Sequence, residues 1–360
     1  MNALAVDRDR IRSAWQGRIS GCQLGKPVEL LSMMGGWDAL FAYLEQAQAL
    51  PLRDYVPLIE NTAVDTPVGR PSCRRFLQRS EPDDDITYTV LALMLLEEHG
   101  LALTTADVAR AWLRLLPGGA TFTAERAAYR TLLERAQPGF AYGADPGFDL
   151  AECADNEYSE WIGAQIRADL YGWVCPGRPG LAADLAHRDA ALSHRDDGVH
   201  GAAFVAALGA AIPAANSLDE AVAVASAEIP AASGAAEAVS FGCSLVGNPD
   251  AVYRLHEHYR DLSPVHTLNN LALVVWGLLS GADDYSAAVG DVVAAGWDTD
   301  CNGATVGGLW GLQGRPILSR WTAPWQGRVA VTIAGVGELS LDDLVDRTVA
   351  VANRLAGVTG

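Results

Sequence analysis

The feature that most constrains this chain is a succession of apolar helical segments with little polar face to turn toward water. Ile86 to Glu98 is a nearly continuous apolar run closed by His99-Gly100, a basic-leaning last turn followed by a C-cap glycine. Thr105 opens a helix over 106–116, and another covers 124–136. Further helical segments span 181–192, 199–212, 218–229 and 268–279, several of them wholly apolar and therefore central. Residues 283–295 stop at Gly296, and 303–312 resume helix after a short loop. Strand-like alternation is rare, the best example being 328–334. No repeat of solenoid period and no long linker divides the chain. The pattern predicts an all-α fold, one compact domain over residues 1–360, with irregular insertions near 50–80 and 137–160.

Composition narrows the function classes. A net charge of −18 excludes a nucleic-acid polymer as partner, because phosphates would be repelled. It leaves small anionic ligands open, since a bound divalent cation inverts the local field. The six cysteines, Cys22, Cys73, Cys153, Cys175, Cys243 and Cys301, form no CxxC pair, which argues against a disulfide framework and a structural zinc site. The N-terminal stretch with Asp7, Arg8, Asp9 and Arg10 lacks the pattern of a signal peptide. The uncharged stretch 201–218 is Ala-rich and broken by Pro213, and reads as a core helix rather than a membrane span. A cytoplasmic protein with no membrane partner is expected.

Two carboxylate clusters carry the chemistry. Asp83-Asp84-Asp85 stands immediately before the apolar helix that begins near Ile86. Acidic residues in a first turn ordinarily complement the helix dipole and cap free N–H groups. Here the following helix is apolar on nearly every face, so its start opens inside the protein, where three adjacent carboxylates repel one another unless a cation neutralises them. The second cluster is Asp298-Thr299-Asp300-Cys301-Asn302, after Gly296-Trp297. The helix behind it carries Gly303, Ala304, Gly307, Gly308 and Gly311, a smooth face that admits another helix closely. Either cluster alone reads as a cap or an Asx-turn. Together they read as hard oxygen ligands for Mg2+, one ion or two, with Mn2+ as an alternative. Ser193-His194 lacks a nucleophile-elbow context, and His256 and His258, two apart on a helix, fall on different faces and read as surface or structural residues.

Lys26 is the single lysine of a chain that otherwise uses arginine. It lies between Gly21, Gly25 and Pro27, where tight space favours a compact ammonium over a guanidinium. Such an ammonium pairs with an Asp of the metal cluster or holds a phosphate or carboxylate of a substrate.

In their order along the chain, these pieces resemble the ADP-ribosylglycohydrolase family. The resemblance runs over roughly residues 11–320. Gly17-Arg18-Ile19-Ser20-Gly21-Cys22-Gln23-Leu24-Gly25-Lys26-Pro27 is similar to the family's opening glycine motif, and Asp83-Asp84-Asp85-Ile86 stands where the family has Thr-Asp-Asp-Thr. Ala164-Gln165-Ile166-Arg167 resembles the segment lining the ribose pocket. Leu192-Ser193-His194 with Gly198-Val199-His200-Gly201-Ala202 resembles the following helix pair. Gly296 to Gly303 resembles the Asp-x-Asp-Ser/Thr ending, the most specific piece.

The resemblance implies an orthogonal multi-helix bundle of that family's type, with metal ligation by Asp84, Asp85, Asp298 and Asp300. Asp83 and Cys301 take the places of the family's Thr and Ser/Thr ligands, and Cys22 stands where many members carry Asp. Lys26, Gln165, Arg167, His194 and Asn302 fall on the substrate side. The implied reaction is hydrolysis of an N-glycosidic bond to ribose, through an oxocarbenium-like transition state, with Asp83 or Asp300 accepting the proton of the attacking water. The substrate is a small ribosyl molecule or an ADP-ribosylated protein. Two rivals remain: an ADP-ribose-binding protein with altered catalysis, and a class I terpenoid synthase, which also uses Asp-rich Mg2+ motifs.

Overall fold

Asp7 starts the first helix, its carboxylate accepting from the N–H groups of Asp9 and Arg10. The computed structural model describes residues 4–357. In chain order the helices are α1 (Arg8–Gly25), α2 (Glu29–Gln46), α3 (Asp84–His99), α4 (Thr105–Leu115), α5 (Thr123–Arg135), α6 (Asp169–Trp173), α7 (Pro179–Ala190) and α8 (Asp196–Ala211). There follow α9 (Leu218–Ser226), α10 (Gly234–Ser244), α11 (Ala251–His258), α12 (Thr267–Ser280), α13 (Tyr285–Ala295), α14 (Thr299–Gly311), α15 (Ser319–Thr322) and α16 (Leu341–Gly357). Among the described residues the only paired strands are β1 (Arg328–Ala330) and β2 (Glu338–Ser340), antiparallel with Val329 opposite Leu339. The fold is all-α, as the apolar periodicity predicts.

The segments expected to be irregular are turns and single 3-10 turns, such as Arg70–Ser72, Phe140–Tyr142 and Leu150–Ala154. Six helices escape the periodicity: α1, α2, α6, α10, α15 and α16. α1 and α2 contain glycines that lower helix propensity, and α16 is short of wholly apolar runs. The apolar helix Asp196–Ala214 is long enough to cross a membrane, but 78% of it is buried inside the protein, where it serves as a core helix.

The apolar core runs from Ile11 to Leu355. Its largest members are indoles: Trp15 meets Trp173 edge-on with centroids 5.1 Å apart, and the Trp15 Nε1–H donates to Thr348 Oγ1 of α16 at 3.0 Å. That bond gives the one polar atom of a buried ring its partner.

The most extensive pairing in the molecule is α1 against α14. Gly17, Gly21 and Gly25 of α1 recur every four residues, as do Gly303, Gly307 and Gly311 of α14, so each set lines one face. The two faces meet backbone to backbone. A methyl at Gly17 or Gly21 would fall on the carbonyl of Gly307 or Gly303, and one at Gly25 on the carbonyl of Thr299. The smooth face read from 303–311 therefore has its counterpart in the opening glycine motif. Hydrogen bonds close the seam at both ends. Thr299 Oγ1 donates to the Gly25 carbonyl at 2.9 Å, and the Tyr285 hydroxyl to the Gly17 carbonyl, also at 2.9 Å.

Since backbone cannot yield as a side chain does, Gly21→Ala or Gly307→Ala is expected to cost at least about 3 kcal/mol in urea unfolding. Gly119→Ala, with nothing within 4 Å of the added carbon, should stay within about 0.5 kcal/mol. Equal small effects at all three positions would show that the helices can part.

Candidate active site

The seam ends at the site. α1 stops at Gly25, a 3-10 turn through Lys26-Pro27-Val28 redirects the chain, and Glu29 begins α2. Opposite, α13 ends at Gly296, and Gly296 and Trp297 both take left-handed backbone, φ 91° and 59°, before Asp298 caps α14. A left-handed tryptophan costs energy unless its surroundings hold it. Ser32 Oγ donates to the Trp297 carbonyl at 2.8 Å, and the His256 ring lies over the indole at 4.4 Å between centroids, itself stacked on Trp37 at 5.2 Å. His256 is thus structural, one of the two roles its sequence setting allows.

From α3, Asp83 is the N-cap. Its Oδ1 accepts from the Asp85 N–H at 3.0 Å and its Oδ2 from Lys26 Nζ at 2.6 Å. Asp85 lies deeper, its Oδ1 held by Arg18 Nη2 at 3.1 Å. The same fully buried guanidinium bonds Asp169 Oδ2 at 2.9 Å and Thr89 Oγ1 at 2.7 Å. Six carboxylates converge: Glu29, Asp83, Asp84, Asp85, Asp298 and Asp300. Three groups bring ligand atoms within 4.8 Å of one another: Asp83, Asp84 and Asp85; Asp85, Asp300 and Cys301; and Glu29, Asp298 and Asp300.

The electrostatics are those of a site short of positive charge. Burial, and then neighbouring Asp83, pushes the half-buried Asp84 carboxyl up to about 8. Burial likewise raises Asp300 and Glu29 well above the carboxylate range, with Glu29 the next cause for Asp300 and Asp298 for Glu29. Asp83 goes the other way: burial opposes ionisation, but Lys26 outweighs it and the pKa is lowered. The Cys301 thiol is raised by burial and by Asp298, so it stays protonated. Asp85 Oδ2, Asp298 Oδ1 and Asp300 Oδ1 are buried with no hydrogen-bond partner. Buried carboxylate oxygens left without donors are suited to accept a cation. An all-oxygen donor set fits Mg2+ or Mn2+.

Above this floor lies a cavity of about 680 Å3. Lys26, Glu29, Asp83, Asp84, Asp298, Asp300 and Cys301 line its base, and Met33, Met34, Phe122, Trp161, Ile162 and Val265 its walls. Glu125 and Thr332 also reach it.

Four residues expected on the substrate side lie outside that lining. Arg167 is buried and fully engaged: Nε donates to Asp189 Oδ1 at 2.6 Å, Nη1 to Glu125 Oε1 at 2.7 Å and Nη2 to Ser193 Oγ at 2.8 Å. It positions Glu125 rather than a ligand. His194 is fully buried, its Nδ1 2.8 Å from Ser193 Oγ, and burial keeps the ring neutral. Asn302 donates from Nδ2 to Asn270 Oδ1 at 2.6 Å, tying α14 to α12. Gln165 is fully buried away from the cavity. Asp83, one of the two candidate proton acceptors, has both oxygens hydrogen-bonded and its pKa lowered.

Sequence reasoning passed over Glu29, Glu125 and Arg18. Glu29 had a signal, a carboxylate two residues beyond the Pro27 that ends the glycine motif. Arg18 had another, a charge among small residues on a helix due to be buried. Glu125 sits in an ordinary amphipathic helix with nothing to single it out.

Fold and site together define an all-helical protein with an acidic cavity, whose carboxylates could hold a cation, at the end of a glycine seam. The sequence model of the ADP-ribosylglycohydrolase family matches residues 4–356. The chain belongs to that family, whose members are glycosyl hydrolases acting on ADP-ribose-type substrates. This sets aside the terpenoid-synthase reading. A solved structure described as an ADP-ribosylglycohydrolase-related protein complex is similar over 97% of this chain and 100% of its own, at 17% identity and a TM-score of 0.50, a likeness of fold alone. No curated protein matches the chain.

Carboxyls raised in the folded state hold protons that the unfolded chain, with carboxyl pKa values of about 4, has already released. The folded state therefore loses stability as pH rises from about 4 through the Asp84 value of about 8. The melting temperature of chelated protein should fall between about pH 5 and about pH 8.5, less steeply in Asp84→Asn, and millimolar Mg2+ should restore it. A melting temperature that rises over this range would mean that the cluster is already neutralised by the chain's own cations.

Proposed function

We propose that this protein is a Mg2+-dependent hydrolase that cleaves the N-glycosidic bond to the ribose of a small ADP-ribosyl or N-ribosyl substrate. The observation that carries this reading is the pair of buried, unpartnered oxygens on Asp298 and Asp300 at the base of an apolar-walled cavity, with a third on Asp85 buried beside them. Asp84, Asp85, Asp298 and Asp300, with Glu29, would hold the ion. When bound, it supplies electrostatic stabilisation of the ribose oxygens and acidifies a neighbouring water.

The chain's own residues do the rest. The carboxylate floor faces the sugar, so positive charge building at the anomeric carbon as the C–N bond stretches meets anions already in place. Asp300 or Glu29, both lining the cavity and both with raised pKa, accepts the proton of the attacking water. Trp161, Ile162 and Val265 give the cavity an apolar wall, while Met34 and Phe122 stand exposed at its mouth. The Cys301 thiol contributes a hydrogen bond to Asp298 rather than a soft thiolate ligand. The small-molecule substrate is favoured by a net charge of −18 that would repel an acidic protein partner.

The test is a screen of ADP-ribosyl-arginine, ADP-ribosyl-serine, NAD, nucleosides and nucleotides for released ribose product, in Mg2+ and in chelator. Turnover that requires Mg2+ is expected. ADP-ribose binding without turnover of any substrate would favour the binding-protein reading instead. Asp300→Asn should lower kcat/KM by about 10²-fold or more while far-UV circular dichroism stays unchanged. Cys301→Ser, which preserves the donor to Asp298, should keep kcat/KM within about threefold. A large loss in Cys301→Ser with intact folding would assign the sulfur a role the hydroxyl cannot fill.

A further inference from the structure

Six carboxylates share the site, and the chain supplies two cations of its own. Arg18 spans Asp85 and Asp169 from beneath, while Lys26 enters from the turn after α1 and bonds Asp83 Oδ2 at 2.6 Å. The Lys26 side chain is 9% exposed and that of Asp83 2%, so water screens neither charge appreciably. The other oxygen of Asp83 accepts from the Asp85 N–H, which leaves the carboxylate engaged at both ends.

We infer that Lys26 is a tethered cation in place of a second metal ion: its ammonium holds the Asp83 end of the cluster, and the site takes a single divalent ion. The inference rests on the metal-dependent reading above and deepens it. Of the three groups able to gather ligand atoms, Asp83-Asp84-Asp85 already contains the ammonium. The other two, Asp85-Asp300-Cys301 and Glu29-Asp298-Asp300, share Asp300; Arg18 bonds Asp85 from beneath, and among the described residues no lysine or arginine bonds Glu29, Asp298 or Asp300. The unpartnered oxygens of Asp298 and Asp300 belong to these two groups alone, that of Asp85 is shared with the first group, and Asp83 has none. An ion taken up by Asp83 would sit within the width of one carboxylate from the ammonium, two like charges in a buried setting.

The residue type suits the task. Lys26 follows Gly25, where a methyl would strike the Thr299 carbonyl, so the turn begins where the α1–α14 seam is still backbone against backbone. A compact ammonium on a flexible stem reaches Asp83 from there, and the planar fork of an arginine is a poorer fit. It is the sole lysine in the chain.

The experiment counts ions. Wild type, Lys26→Met and the double variant Lys26→Met/Asp83→Asn are dialysed against Mn2+ and the bound metal is measured by elemental analysis. Bound Mn2+ is also examined by electron paramagnetic resonance. Wild type is expected to bind one ion per chain with the spectrum of an isolated Mn2+. Lys26→Met, with Asp83 released, is expected to bind two that couple magnetically, and the double variant to return to one. Two coupled ions in wild type would overturn the inference and leave the metal-dependent reading standing, even if Lys26→Met failed to fold. One ion in both wild type and a folded Lys26→Met would overturn it equally. No bound ion in wild type would overturn the metal-dependent reading itself.

Discussion

Everything in this molecule that bears on chemistry hangs from the backbone contact between α1 and α14. Gly17 meets Gly307 and Gly21 meets Gly303, while Gly25 rests on the backbone of Thr299 and Gly311 on that of Ser13, with no side chain between them. The ends of the two helices are therefore placed by main chain alone, without the adjustable layer of side chains that separates most packed helices. Because Gly25 rests on Thr299, the residues that follow Gly25 are set against those around Thr299. Lys26 and Glu29 thus face Asp298 and Asp300 as a direct consequence of the seam.

That placement is destabilising taken alone. Carboxylates brought together in a buried setting repel one another, and burial penalises each charge separately. Much of the surrounding structure offsets the penalty. Arg18 crosses beneath Asp85 to Asp169, Lys26 takes Asp83, and the N-termini of α3 and α14 turn their dipoles toward the cluster. Behind the cavity wall, Arg167 performs the same service for Glu125 and Asp189, with its guanidinium 5.2 Å over the Trp112 ring. The internal arginines are part of how an acidic site is kept folded, Arg18 reaching the cluster at Asp85 and Arg167 reaching the cavity lining at Glu125.

This division explains what was legible in the sequence. Helices with wholly apolar runs could be read, because burial on every face leaves an unmistakable pattern; Ile86–Glu98 lies within α3, and 268–279 within α12. The Asp clusters could be read because adjacent carboxylates before an apolar helix are costly in any fold. The partner of the Gly303–Gly311 face could not be named, although Gly17, Gly21 and Gly25 carried the same spacing. Two matching periods show that close approach is possible and do not show to which neighbour. Arg167, His194 and Asn302 were placed on the substrate side by resemblance, which marks a segment as near the site without saying which way its side chains turn. The structure turns Arg167 toward Asp189 and Asn302 toward Asn270. Glu29 escaped because its role depends on a turn, Lys26-Pro27-Val28, that sets α2 off in a new direction and that no periodicity encodes.

The same logic accounts for the strained turn before Asp298. α13 must stop and α14 must start on the seam within three residues, Gly296, Trp297 and Asp298, and only left-handed backbone at the first two makes that reversal. A glycine at 297 would adopt φ near 59° at less cost. Tryptophan instead spreads an indole beneath His256, which is itself anchored by Trp37 and by its Nε2 contact with the Ala295 carbonyl at 2.8 Å. The stack ties α2, α11 and the α13–α14 turn into one unit, so the backbone just before Asp298 is held from three directions. A flexible glycine would let the Asp298 carboxylate relax away from Asp83 and Glu29, relieving the repulsion and dispersing the site. Strain at Trp297 is the means by which the fold keeps mutually repelling carboxylates pointed at one place.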